Sequence, residues 1–260
     1  MYVKGFDVSY YSAPAGVDFF TFNLFKADGY RVFAIDLWHN GDINPVARES
    51  INAALIAGFK VIGYFELISG LDPRRQIDVL RRELGQTYFQ QRAVAIDLEL
   101  TGITLEQVRL AISEIQSDGL EPIIYTAKWW YDKYGWGSAL SEYGLWYANY
   151  DYTDKFMPRQ IPRGWDMSRV VGKQYADNMR LYNVVCDLNI FERKWVYMQE
   201  LQEIYDSSMI HLGALWGWGE RLKQIVAEHP ELADLLDDIG GQIQENAVAL
   251  RSYLEKAVNL

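Results

Sequence analysis

Two carboxylates, Asp97 and Glu99, interrupt the apolar run Val94-Ala95-Ile96-Asp97-Leu98-Glu99-Leu100. If this run is a strand, positions i and i+2 leave the same face with backbone origins about 6.6 Å apart. Like charges this close on a strand that otherwise belongs in a core lose solvation and repel one another, so folding alone does not account for them. Acid/base chemistry does, because it needs one carboxyl that keeps its proton beside one that gives it up. The competing reading is a strand with one solvated face, or two acids that each have an Arg or Lys partner.

Other acids repeat the pattern. Asp7 follows Gly5-Phe6, Asp36 sits in Phe33-Ala34-Ile35-Asp36-Leu37-Trp38, Glu66 in Gly63-Tyr64-Phe65-Glu66-Leu67, and Asp187 in Val184-Val185-Cys186-Asp187-Leu188-Asn189. Each falls near the end of a strand-like segment. Acids at the ends of several strands converge on one mouth if the strands run parallel around a barrel, and convergence raises the pKa of individual members. Aromatic residues gather at the same ends: Tyr64, Tyr125, Trp129, Trp130, Trp136, Trp146, Tyr147, Tyr150 and Tyr175, in a chain that is 15% aromatic. Flat rings beside paired carboxylates suit a glycan cleft, although large aromatics also dominate cores. In Lys128-Trp129-Trp130-Tyr131, read as a loop, successive rings cannot all point inward, so at least one is expected to be exposed.

The elements that must position these residues read as alternating strands and helices. Strands are expected at Tyr2 to Val8, Val32 to Trp38, Lys60 to Leu67, Ala93 to Leu100, Pro122 to Thr126, Leu145 to Tyr150, Val171 to Tyr175 and Val184 to Leu188, mostly continuous apolar runs of the kind buried on both faces. Helical spacing covers Val46 to Ala57, Pro73 to Leu84 and Leu105 to Ser117, with Gly58 and Gly119 as stops. This is an α/β pattern, and about eight strands in 195 residues favour an irregular TIM-like (β/α) barrel over an open sheet. The sparse helical signal after Tyr125 predicts an irregular second half.

Composition limits the function classes. The 260-residue chain carries a net charge of −10. From Val196 onward there are 11 acids and 4 bases, so the tail holds −7 of that excess. Nucleic acid and anionic membrane surfaces both demand a basic footprint, and neither is an expected partner. The start of the chain shows no basic region followed by an apolar run, and no stretch is apolar enough for membrane insertion, so synthesis without a signal peptide in a reducing cytoplasm is expected. The single cysteine, Cys186, excludes an intrachain disulfide, and His39, His211 and His229 are too scattered for a metal site, so no metal or cofactor is expected.

Six motifs in order carry a resemblance: Gly5-Phe6-Asp7-Val8-Ser9, Ala57-Gly58-Phe59-Lys60-Val61-Ile62-Gly63-Tyr64-Phe65, Ile96-Asp97-Leu98-Glu99, Pro122-Ile123-Ile124-Tyr125-Thr126, Leu145-Trp146-Tyr147-Ala148-Asn149-Tyr150 and Asp187-Leu188-Asn189-Ile190-Phe191. Over about residues 3 to 192 the chain resembles family 25 glycoside hydrolases, which are lysozymes. The resemblance implies an irregular barrel of about eight strands that cleaves the β-1,4 bond between N-acetylmuramic acid and N-acetylglucosamine in peptidoglycan. It further implies Glu99 as general acid, Asp97 as stabiliser of the positive charge at the sugar, directly or through its N-acetyl group, and Asp7 and Asp187 as the rest of an acidic floor. Tyr64 and Tyr125 would orient the substrate. From their own places at strand ends, Trp146, Tyr150, Glu66 and Asp36 are read as further substrate-binding candidates. The chain departs from the family at Ile35-Asp36-Leu37-Trp38-His39-Asn40-Gly41, where an acid is expected near Asn40, and at Phe65-Glu66-Leu67.

Residues 1–195 therefore read as a barrel and 196–260 as a helical tail. In the tail Ile243, Ala247, Leu250, Leu254 and Ala257 repeat at alternating four and three residues, a seam of two heptads suited to docking or oligomerisation. Two functions compete. One is a muramidase acting on the wall as a phage lysin or as part of a phage tail; the other is a structural or glycan-binding particle protein built on an altered barrel.

Overall fold

The computed structural model describes residues 2–39, 41–197 and 248. The expected tail helices and Asn40 lie outside these residues. In chain order the elements are β1 (Tyr2–Val8), α1 (Phe19–Ala27), β2 (Tyr30–His39), β3 (Asp42–Ile43), α2 (Ala47–Ile56), β4 (Lys60–Glu66), α3 (Pro73–Leu84), α4 (Gln86–Phe89), β5 (Ala93–Asp97), α5 (Leu105–Ser117), β6 (Glu121–Ala127), α6 (Lys128–Tyr134), β7 (Gly144–Ala148), β8 (Val170–Leu181) and β9 (Val184–Glu192). No helix among the described residues is long and apolar enough to cross a membrane.

Eight strands close into a barrel in the order β1-β9-β8-β7-β6-β5-β4-β2, sealed by β1 pairing with β2, while the two-residue β3 adds to β2 outside the ring. Around the ring all neighbours are parallel except β9, which runs antiparallel to both β1 and β8; outside it, β3 is antiparallel to β2. The carboxyl ends of seven strands and the amino end of β9 thus share one rim. The expected α/β barrel and its irregular second half are both present: β7 and β8 are joined without an α-helix, through two short 3-10 turns, Pro158–Gln160 and Met167–Arg169.

Two layers of packing follow from the period-2 alternation of the strands. Outward-facing Phe6, Phe33, Ile35, Val61, Phe65, Val94, Ile96, Ile124 and Leu145 form the main core with Phe22 and Phe25 of α1, Ile77 and Leu80 of α3, and Val108, Ile112 and Ile115 of α5. The helices are fixed at their starts, α3 by Asp72 accepting from the Arg74 N–H, α5 by a reciprocal Thr104/Gln107 capping box, each cap contributing about 1 kcal/mol. Helix α1 escapes the sequence reading because Phe19-Phe20-Thr21-Phe22-Asn23-Leu24-Phe25 carries apolar residues around its circumference, with Phe20 and Leu24 exposed.

The barrel interior is filled from below. A Cβ on Gly5 or Gly172 would sit 2.6 Å and 2.7 Å from the Phe191 ring, so two glycines make room for one phenylalanine in the barrel floor. Beneath it Trp195 lies over Phe191, donates its indole N–H to Glu121 Oε1 at 2.7 Å, and meets the Arg92 guanidinium 4.6 Å from its ring. Arg92 pairs with Glu121 at 2.5 Å. The amino end is therefore plugged, and polar side chains are concentrated at the opposite rim.

Candidate active site

Strand register brings the acids together. Asp7 stands opposite Asp187 across β1 and β9, Asp36 beside Tyr64 across β2 and β4, Glu66 beside Asp97 across β4 and β5, Asp97 beside Tyr125, and Tyr125 beside Trp146. In-register neighbours share a face, so these side chains line one interior. Their rings confirm it: Tyr64, Tyr125 and Trp146 form a triangle with centroid separations of 6.4, 6.0 and 4.6 Å.

The geometry of the central pair differs from the sequence expectation. Strand β5 ends at Asp97, and Glu99 lies in the following loop rather than two positions along a strand face. The chain turns because the Leu98 N–H still bonds to the Tyr125 carbonyl at 3.0 Å, while the Glu99 N–H is captured by Asp97 Oδ1 at 2.8 Å. This side-chain turn, an Asp holding the N–H two residues on, carries Glu99 to the rim and leaves Asp97 buried below it. Asp36 repeats the device by accepting from the Trp38 N–H at 3.1 Å.

No ion pair with a basic side chain relieves Asp7, Asp97, Glu99 or Asp187 among the described residues. The alternative in which each acid has its own cation is not met. Burial pushes the Glu99 carboxyl up to about 7, the Ala127 N–H opposes this, and the charge of Glu66 adds to it. Asp97 is driven well above the ordinary carboxylate range by burial and by Glu99, Glu66 and Asp36. Burial also lifts Asp36 to about 7 and Asp187 to about 6. This mouth retains protons at pH values where isolated carboxyls have lost them.

Asp7 and Asp187 are held by two amides that sequence reasoning missed. Gln174 donates from Nε2 to Asp7 Oδ2 at 2.8 Å and to Asp187 Oδ2 at 3.2 Å, and its Oε1 accepts from the hydroxyls of Tyr125 and Tyr150, both at 2.7 Å. Asn189 donates to Asp7 Oδ2 at 2.6 Å and accepts the Trp146 indole N–H at 2.9 Å. An indole only donates and a carboxylate only accepts, so these partners fix the orientation of the Asn189 amide. Burial and Asp187 raise Asp7 well above the usual range, and the two amides work against that shift. A kink in β8 completes the holding of Asp187: with Asn178 at φ 52 and register shifts on either side of Ala176, the Asn178 N–H donates to Asp187 Oδ1 at 2.7 Å. The signal for Gln174 and Asn189 was present as polar residues interrupting apolar strands, the criterion that singled out the acids.

The remaining expected residues fall into two groups. Tyr64, which donates to the Val8 carbonyl at 3.1 Å, Tyr125, Tyr150, Glu66 and Asp36 all lie at the rim or in its wall. Trp146 is only 1% exposed, and its bond to Asn189 makes it a support for the floor rather than a surface offered to a ligand. Tyr147 and Trp136 leave the site altogether: Tyr147 is buried on the helix side, accepting from the Met157 N–H, and Trp136 stacks on Tyr134 with centroids 4.2 Å apart.

A closed barrel whose rim carries proton-retaining carboxyls and tyrosines is suited to protonating a bond between sugars while stabilising the cation left behind. The family model for glycosyl hydrolases family 25 matches residues 6–184. The chain belongs to glycosyl hydrolase family 25. It is a glycoside hydrolase, and Asp7, Asp97 and Glu99 all fall within the matched span. No curated protein sequence matches it. Among solved structures it is similar to GHIP, a glycosyl hydrolase 25 of Streptococcus pneumoniae described as a virulence factor in host cell invasion, at 12% identity and a TM-score of 0.57 over 74% of this chain and 87% of that one. It is also similar to the CTP1L endolysin, at 12% identity and a TM-score of 0.59 over 80% of each chain. The modular autolysin LytC of Streptococcus pneumoniae, solved with a synthetic peptidoglycan ligand, aligns with 10% identity and a TM-score of 0.55 over 74% of this chain and 47% of its own. At these identities the likeness establishes the barrel of this family 25 enzyme, and its site rests on its own residues.

Proposed function

We propose that this family 25 hydrolase is an N-acetylmuramidase that cleaves the β-1,4 bond between N-acetylmuramic acid and N-acetylglucosamine in peptidoglycan. The observation that carries the reading is the turn at the end of β5, where Asp97 holds the Glu99 N–H and places a carboxyl with a pKa of about 7 at the rim above a deeper one. Glu99 delivers its proton to the bridging oxygen. As that bond breaks, Asp97 stabilises the positive charge growing on the sugar, either directly or by orienting the neighbouring N-acetyl group. Asp7 and Asp187, fixed by Gln174, form the floor of the site, and Tyr64, Tyr125 and Tyr150 wall the sugar. Asp36 and Glu66 border Asp97 and tune the proton affinity of the pair. The family match supports hydrolysis of a glycan, and the synthetic peptidoglycan ligand bound by the autolysin LytC supports this substrate.

The likeness to an endolysin also supports a lysin that reaches the wall from a phage-infected cell or on a phage particle. The heptad spacing of Ile243, Ala247, Leu250, Leu254 and Ala257 supports residues 196–260 as its docking or oligomerisation segment. Digestion of purified peptidoglycan, borohydride reduction of the products and sugar analysis test the proposal. A muramidase yields muramitol and loses that product on Glu99→Gln. Glucosaminitol in its place would move the cleaved bond, and binding without any new reducing end would favour the particle-protein reading.

A further inference from the structure

Helix α6 follows β6 directly at the open rim, and its inner side is bolted to the loop that carries Glu99. At its start the Ala127 N–H lies on the Glu99 side and holds down the proton affinity of that carboxyl, and at its end the Tyr134 hydroxyl donates to the Leu100 carbonyl. Tyr131 is buried against Trp165, with centroids 4.7 Å apart, and donates to the Gly137 carbonyl at 3.2 Å. Seven residues at 100° per residue place Trp129, Lys133 and Trp130 on consecutive sectors of the helix, with Trp130 next to the Tyr134 sector that meets the Glu99 loop. Trp129 is 57% exposed. Its ring lies 4.6 Å from that of Trp130, inclined by 32°, and the Lys133 ammonium sits 4.4 Å from both centroids. Lys133 has no ion pair among the described residues, and the neighbouring Lys128 is committed to the Ile161 carbonyl at 3.0 Å.

An exposed indole on a helix fixed at both ends gains nothing for folding, and a cation beside it stands out at a rim of Asp7, Asp36, Glu66, Asp97, Glu99 and Asp187. A carboxylate-bearing glycan entering that mouth meets repulsion from the floor and needs a positive group at the edge. Resting on the muramidase reading, we propose that Trp129, Trp130 and Lys133 form a subsite for a muramyl residue next to the cleaved bond. The indoles receive the apolar face of the pyranose, and Lys133 pairs with a carboxylate on its lactyl arm, either the lactate itself or the peptide attached to it.

The test uses the full chain. Binding is measured by calorimetry on Glu99→Gln protein, with and without Lys133→Gln or Trp129→Ala, against peptide-free glycan strands, peptide-bearing strands and neutral chitooligosaccharide. Lys133→Gln is expected to weaken binding of the anionic strands about tenfold and leave chitooligosaccharide unchanged, Lys133→Arg to restore it, and Trp129→Ala to weaken all three. Loss confined to peptide-free strands identifies the lactate as the partner, and loss confined to peptide-bearing strands identifies the peptide. In turnover, Lys133→Gln should raise KM while holding kcat. Unchanged binding of anionic strands in both variants overturns the subsite even where the wild type cleaves peptidoglycan. Weakened binding in a protein that cleaves nothing retains the subsite and overturns the muramidase reading instead.

Discussion

The two carboxylate pairs of this mouth are held in opposite ways. Asp7 and Asp187 face each other from different strands and are met by hydrogen bonds donated from Gln174, Asn189 and the Asn178 backbone. Asp97 and Glu99 are close in the chain, share one backbone bond between them, and meet burial and like charge that the Ala127 N–H beside Glu99 only partly opposes. Donors favour the ionised form and burial favours the protonated one. Both pairs hold protons above the ordinary carboxylate range, the floor against several donors and the turn against few, so burial dominates in each and the donors set how far it goes.

The sharpest way to break the comparison is to remove the proton from the turn alone. Glu99→Gln preserves size and the backbone bond to Asp97, so it should fold as the wild type while reducing-end release falls by about 10³-fold, within the range for loss of a general acid. Retention of a tenth of the activity would move the proton donor elsewhere. Breaking the floor should cost less in rate and more in stability. Gln174→Leu withdraws donors from both Asp7 and Asp187 and strands the hydroxyls of Tyr125 and Tyr150. Each buried group left unpaired costs about 1–3 kcal/mol, so thermal unfolding should fall by several degrees, with turnover down about 10-fold. A variant as stable as the wild type would mean that the amide is not what holds the floor.

The asymmetry between the pairs also explains what could be read from the chain. Strand alternation exposed every acid of the mouth, because a charged residue in an apolar run is conspicuous. The turn after Asp97 was not legible, since Leu98-Glu99-Leu100 continues the apolar pattern and only the capture of the Glu99 N–H by Asp97 ends the strand. The sequence of helix α6 reads as loop because Trp129, Trp130 and Tyr131 mask its periodicity, yet the expectation of an exposed ring there holds at Trp129. Strands β8 and β9 are longer than their apolar cores because Tyr182 and Asn183, both at positive φ, make a two-residue hairpin turn that lacks the usual glycine.

A finer test concerns how like charge sets the acid. Glu66 stands beside Asp97 in register, and its charge contributes to raising Glu99 to about 7. A general acid works while protonated, so kcat/KM should fall as pH rises through about 7. Glu66→Gln removes one raising charge, lowers the Glu99 pKa, and should move that alkaline limb to lower pH by a fraction of a unit, with the plateau rate changed less than about tenfold. A limb that stays in place would assign the shift to burial alone.

The smallest effect separates stability from activity at Asp36. Its folded pKa of about 7, raised by burial first and by Glu66 in addition, lies above the value of about 3.9 expected in an unfolded chain. The folded state therefore holds this proton to higher pH than the unfolded state does. Stability from this group is complete below about pH 4 and is lost as pH rises through about 7. An asparagine side chain at this position would stay neutral at every pH and still offer a carbonyl oxygen to the Trp38 N–H, which now donates to Asp36. Asp36→Asn should accordingly raise the Tm at pH 8 by about 2–4 °C, which corresponds to roughly 1 kcal/mol for a domain of this size, and leave it unchanged at pH 4. Calorimetric scans at the two pH values decide the point. An equal gain at both would make Asp36 a packing defect, whereas a gain only at pH 8 shows that the acidic mouth destabilises the barrel at neutral pH, as expected where charge is kept for chemistry.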